Sequence, residues 1–186
     1  MSKWVPKEFL PEEDFKRFCE RAKEENLFWS SLLLFLAFTG CRVSEAVKLK
    51  WEDINFKDSV ARIWKSKGQR SRWVPLKDEV LQLLQKRREA LLKKMKEQDI
   101  QQKYVWPGRN GHITRLAVYR KVQKIGQELG IKIHPHTLRH TFLTLLINKG
   151  VPIHVVKEIA GHSSLAVTGV YLHTSPTQLK KAVEVI

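Results

Sequence analysis

The segment HPHTLRH, residues 134–140, places three histidines and an arginine within seven positions of a chain that holds only 7 histidines. Such a cluster suits a metal site, a phosphate grip or the start of a helix, and the residues after it carry the reading. Leu138, Phe142, Leu145 and Leu146 recur at helical spacing up to Gly150, so the cluster opens an amphipathic helix. Pro135 disfavours helical backbone at His134, and the spacing predicts a helix beginning at Thr137. His136 then stands just ahead of the helix, with Arg139 and His140 in its first turn. Three effects converge there on an anion. Backbone N–H groups lack partners, the helix dipole presents its positive end, and a guanidinium can hold phosphate through two hydrogen bonds. A metal reading of His134, His136 and His140 lacks the cysteine pairs or carboxylate cluster that such sites use.

The rest of the chain is organised around that helix. PIHVVKEIAGH, residues 152–162, predicts a helix that starts at Pro152 and stops at Gly161, which puts His162 at a helix end. SSLAVTGVYLH follows, with a serine able to cap a short helix that presents Tyr171. Upstream, LFWSSLLLFLAF at 27–38 is too short and too interrupted by serine to span a bilayer, and reads as a core helix ending near Thr39 and Gly40. PEEDFKRFCERAKEEN at 11–26 reads as a helix with Phe15 and Phe18 on its apolar side. A short helix around RVSEAVKLKW sets Arg42 and Glu45 three residues apart on one face. ARIW and RWVPL, separated by KSKGQRS, read as a hairpin with a basic tip. Asp78 to about Gln98 reads as a long amphipathic helix with Leu81, Leu84, Leu91 and Leu92 inward, and Thr114 to Leu129 as a capped helix closed by Gly130. No internal repeat or low-complexity stretch divides the chain. The expectation is one domain over 1–186, with a core at 10–171, of mainly helical α+β class with a small antiparallel β-sheet.

Lys and Arg number 34 against 19 Asp and Glu, a formal charge of +15 that points to a polyanionic partner, nucleic acid above all. Hydrophobic residues at 42% argue for a folded domain rather than a basic tail. Cys19 and Cys41 have no metal or redox spacing and read as reduced, intracellular thiols packed as small apolar groups. With no signal-peptide pattern and no span, the expected setting is the cytoplasm, on DNA and away from membranes.

Taken singly, each candidate residue has an ordinary explanation. A histidine near a helix start is usually a hydrogen-bonded structural group, an Arg–Glu pair on a helix face contributes little, and a lysine in a turn is normally a solvated charge. The joint order is more specific: Arg42 in TGCRVSEAVKLKW, Lys67 in SKGQRSRWVPL, His136, Arg139 and His140 in HTLRH, His162 in GH, and Tyr171 nine residues later. In this order and spacing the chain resembles the catalytic domain of the tyrosine recombinase, or phage-type integrase, family from about residue 10 onward. Lys65 and Arg70 flank Lys67, and the match to KG before VPL favours Lys67.

The resemblance implies strand cleavage and rejoining through a 3′-phosphotyrosine intermediate, without metal, ATP or any other cofactor. It implies Arg42, Lys67, His136, Arg139, His162 and Tyr171 as the catalytic set, with Glu45 and His140 in support. The residue types suit that chemistry independently, because a phosphodiester transition state gains negative charge that fixed donors must meet. Related alternatives are a type IB topoisomerase, which uses the same kind of residues, and a basic DNA-binding regulator, which would not need Tyr171 or the spaced set. The family also implies a homo-tetramer on paired DNA sites. The 172–186 tail, with Leu179, Val183 and Ile186 at helical spacing, would then be exchanged between protomers. The chain departs from the family pattern in lacking room for a separate core-binding domain before its first helix. It would be an excised catalytic fragment, weak in DNA binding by itself, or a short member. Leu143 also stands where a small residue is common, which puts local packing in question.

Overall fold

The computed structural model describes residues 9–64, 71–98, 102–109 and 111–161. Lys67, His162, Tyr171 and the tail expected to exchange between protomers lie outside the described residues.

The first helix, α1 (Glu12–Lys23), carries Glu12, Glu13 and Asp14 in its first turn and Arg21 and Lys23 in its last, each charge opposing the nearer end of the helix dipole. Phe15, Phe18, Cys19 and Ala22 form its buried face. Helix α2 (Leu27–Thr39) is apolar all round, as a helix enclosed on all sides must be. Asn26 caps it by accepting the Trp29 N–H at 3.1 Å, and Gly40 ends it with φ 60°. The helix packs against α1, against α4 (Asp78–Gln98) and against α6 (Pro135–Asn148), so it forms the centre of the core. Its buried hydroxyls are satisfied locally: Ser31 donates to the Phe28 carbonyl at 3.0 Å and accepts from Trp106 Nε1 at 3.0 Å.

Beyond α2 come a single turn, α3 (Val43–Ala46), and a three-stranded antiparallel sheet in the order β1 (Ile54–Asn55), β2 (Val60–Trp64), β3 (Ser71–Pro75). The hairpin read from ARIW and RWVPL is therefore present, with Ala61 opposite Val74 and Ile63 opposite Arg72. All four residues are buried, so this face of the sheet turns inward. The other face shows Trp64 and Trp73 to solvent, with the Arg62 guanidinium 4.1 Å from the Trp64 ring centroid. A small second ladder, β4 (Pro107–Gly108) with β5 (Gly111–His112), was not anticipated; it forms at the RNG loop. Thr114 caps α5 (Arg115–Leu129) through the Ala117 N–H, and Gly130 closes it. Helix α7 (Ile153–Ala160) ends at Gly161 with φ 66°. The architecture is the mainly helical α+β fold with a small antiparallel sheet that the residue pattern implied.

Three local expectations need correction. Leu92 is exposed rather than inward, because α4 leaves the body after Leu84 and from there to Lys94 only Arg87 and Leu91 keep partial burial. Helix α6 begins at Pro135, two residues before Thr137, since proline at the first helical position lacks only an N–H that the helix would not use. The most buried apolar positions of α6 are Leu138 and Leu143, while Phe142, Leu145 and Leu146 are half-buried. That helix is flanked by α1 and α2 on one side and α7 on the other, which widens its buried face. Leu143 is fully buried against Val156 and Ala160 of α7, so the large residue is accommodated. Leu143→Ala is expected to cost about 2–5 kcal/mol, read by urea denaturation of the purified chain, with α7 showing the largest rise in amide exchange.

Candidate active site

Four segments distant in sequence meet where α2 and α7 end. Arg42 stands at the start of α3, and its backbone N–H donates to Glu45 Oε2 at 2.8 Å. Its guanidinium lies 3.5 Å from Glu45 Oε1 and remains 41% exposed. Glu45 itself is buried. Its carboxylate is held by a residue that sequence reasoning did not single out: Arg72 of β3 donates from Nη1 to Oε1 at 3.1 Å and from Nη2 to Oε2 at 2.9 Å. Arg72 Nε donates to the Ile159 carbonyl of α7 at 2.8 Å. The signal for Arg72 lay in the strand alternation, which turns residues 72 and 74 inward, so a charge at 72 must find a buried partner. Burial opposes ionisation of Glu45, but the Arg72 guanidinium and then the Arg42 N–H and charge outweigh it and hold the carboxyl below its usual range.

Arg139 is the second buried guanidinium, 4% exposed. Its Nη1 donates to the Gly40 carbonyl, and its Nη2 to the Ala160 carbonyl at 2.9 Å. One side chain thereby ties the end of α2, two residues before Arg42, to the end of α7. Gly161, which follows, has φ 66°, and a Cβ there would come within 2.8 Å of Arg72 Nη1. Both the backbone conformation and the neighbouring guanidinium demand glycine.

The histidines of 134–140 separate into different tasks. His134 is the cap of α6: its Nδ1 accepts the Thr137 N–H at 3.3 Å, while its own N–H donates to Thr137 Oγ1 at 3.3 Å. Its ring stacks on Tyr119, with centroids 5.8 Å apart. This cap consumes the Thr137 N–H, and Pro135 has none to offer. The helix start is therefore a poorer anion site than the sequence suggested. His136, exposed in the first turn, has its pKa pushed below the usual range by partial desolvation and by the charges of His134, Arg139 and Arg42. His140 lies a turn further on, half-buried, its ring centroid 6.4 Å from that of His136. Among the described residues no three His, Cys, Asp or Glu side chains converge on a metal position. Neither thiol suits a nucleophile, since burial pushes Cys41 up to about 11 and Cys19 up to about 12.

The family model described as the phage integrase family matches residues 8–178. The chain belongs to that family. Among its curated relatives is the tyrosine recombinase of Thermosipho africanus, 33% identical over 180 residues; the alignment takes in 95% of this chain and 61% of that protein. The chain thus spans about three fifths of the length of this relative. Two solved structures of the family share the fold. The XerH site-specific recombinase bound to difH substrate in a pre-cleavage complex superposes with TM-score 0.80 at 26% identity, covering 98% of this chain and 55% of that one. The catalytic domain of bacteriophage HP1 integrase superposes with TM-score 0.67 at 25% identity, covering 95% and 94% respectively. No helix among the described residues is long and apolar enough to cross a membrane.

The Glu45 carboxyl is depressed in the folded chain, so its contribution to stability is present above the ordinary carboxylate range and lost as pH falls through the lower folded value. Glu45→Ala is expected to cost about 3–5 kcal/mol at pH 7, because it leaves Arg72 buried without its counter-charge. Urea midpoints measured from pH 7 to pH 3 should show this difference shrinking only in the acid part of the range, and a constant difference would contradict the assignment.

Proposed function

We propose that the chain is the catalytic domain of a site-specific DNA recombinase, which cuts and rejoins strands through a phosphotyrosine at Tyr171. The observation that carries the reading is the Arg139 bridge from the Gly40 carbonyl to the Ala160 carbonyl. It draws together the end of α2 just before Arg42, Arg139 itself and the end of α7, which are far apart in the chain. The relative and the solved neighbour named as recombinases, one of them in complex with its DNA substrate, support the same reading over the topoisomerase and regulator alternatives.

In this mechanism Arg42 and Arg139 meet the non-bridging oxygens of the scissile phosphate, with His162 as a further donor. The Tyr171 hydroxyl attacks phosphorus and its proton passes to His136, whose depressed pKa keeps the ring neutral and able to accept it. The new Tyr–O–P bond forms as the bond to the 5′ oxygen breaks, and that oxygen takes a proton from Lys67. A 5′-hydroxyl reverses the step and reseals the strand. The phosphodiester energy is kept in the covalent intermediate, so the scheme calls on neither ATP nor metal. Glu45 and His140 act in support by holding Arg42 and the α6 face. The net charge of +15 supports double-stranded DNA as the partner.

The test is incubation with nicked suicide duplexes drawn from the DNA flanking its own gene, in the presence of EDTA. A covalent protein–DNA adduct that disappears in Tyr171→Phe is expected. Cleavage that requires metal, or an adduct indifferent to that substitution, would falsify the reading.

We further propose that the chain works as a homo-tetramer on paired sites, with the 172–186 tail of one protomer docked on the next. An apolar groove between α1 and α6, lined by Phe15, Phe38, Phe142, Leu145 and Leu146, supports this by offering Leu179, Val183 and Ile186 a surface. Truncation before Thr177 should reduce assembly on DNA, read by analytical ultracentrifugation, more than it reduces adduct formation. Equal loss of both, or of neither, would count against it.

A further inference from the structure

Arg72 lies in the SKGQRSRWVPL stretch from which Lys67 was read but is not itself one of the catalytic set, yet it binds two of the segments that must be aligned for cleavage. All three nitrogens of its guanidinium are engaged at once, two on the Glu45 carboxylate and Nε on the Ile159 carbonyl. The group is 8% exposed. Only a planar fork can meet three acceptors in this way; a lysine presents one nitrogen. We propose that Arg72 is a positioning residue for the cleavage reaction, fixing Arg42 through Glu45 and fixing the end of α7 relative to Arg42 through the Ile159 carbonyl. This inference rests on the recombinase reading above.

The physical case has three parts. Arg42 is long and 41% exposed, so its guanidinium would sample many rotamers unless its carboxylate partner were immobile. Glu45 is immobile because Arg72 grips both of its oxygens from an inward strand position opposite Ile63. Second, Arg72 lies so close to the backbone of residue 161 that any Cβ there would meet its Nη1, Cδ and Cζ at 2.8–2.9 Å, which leaves α7 little freedom to slide. Third, a buried ion pair adds little stability over well-packed apolar residues, so folding alone is a weak account of it. Geometric control of an exposed catalytic guanidinium is a better one. β3 pairs with β2, so the same side chain ties that strand pair to the Arg42 segment.

The experiment uses the whole 186-residue chain as wild type, Arg72→Lys, Arg72→Met and the double variant Arg72→Met/Glu45→Leu. Each is assayed for melting temperature, for anisotropy binding to the nicked duplexes and for the single-turnover rate of the Tyr171 adduct. Arg72→Lys is expected to melt cooperatively, to bind the duplexes within about threefold of wild type, and to form adduct about 100-fold more slowly, the scale of a misplacement near 1 Å. The double variant should regain the melting temperature that Arg72→Met loses, without regaining the adduct rate. The proposal is overturned if Arg72→Lys forms adduct within threefold of wild type, or if the double variant recovers rate together with melting. Failure of both variants to fold would make Arg72 a structural residue and overturn it equally. A wild-type chain that forms no adduct at all removes the functional reading first and this inference with it, an outcome distinct from a working wild type with an indifferent variant.

Discussion

Among the described residues two guanidinium groups are buried, and the rest of the site depends on how they are satisfied. A charge taken out of water is costly unless it is paired and hydrogen-bonded, and a helix end leaves carbonyl oxygens without intrahelical donors. Here the two deficits cancel. Arg139 takes the Gly40 and Ala160 carbonyls, and Arg72 takes the Ile159 carbonyl and the Glu45 carboxylate. Helix C-termini carry partial negative charge, so the arrangement is favourable in its field as well as in its hydrogen bonds. The ends of α2 and α7 are held together by this need, and Arg42 follows α2 directly.

The two arginines implied by the family pattern consequently differ in character. Arg139 is enclosed and oriented by backbone, so its placement is part of the fold. Arg42 is partly in solvent, with one partly buried contact to Glu45, and its placement depends on what holds that carboxylate. His136 sits in the first turn of α6, its pKa lowered first by partial desolvation and then by the charges of His134, Arg139 and Arg42. Under the proposed recombinase reading, a phosphate would be met by a fixed arginine, a guided arginine and a neutral imidazole.

Much of the fold was legible in the residues. The unbroken apolar run of α2, the Thr114 cap, the glycines at 40, 130 and 161 and the alternation of β2 and β3 each have a local cause, and local causes are readable from sequence, whereas Asn26, read as part of the first helix, caps α2 instead. The cluster at 134–140 was read correctly as a helix start but not in its details. The proline that moves helix backbone away from His134 also makes His134 the cap, and the cap uses a donor that had been assigned to an anion. The burial of α4 and α6 was misjudged at Leu92 and at Phe142, Leu145 and Leu146, because a period shows which face is apolar and not where a neighbouring helix begins or stops.

By itself the sequence determined the class of the fold and the positive charge, through periodicity and composition, and the family, through the resemblance its ordered motifs carry; the residues proposed to handle a phosphodiester follow from that resemblance. Only the tertiary structure decided which partner each buried charge would find. Residue 72 could be seen to face inward, but that its guanidinium would meet Glu45, 27 residues earlier, and Ile159, 87 residues later, depends on how the sheet packs against α3 and α7. Pairing of buried charges is a property of three surfaces brought together, and no local pattern encodes it.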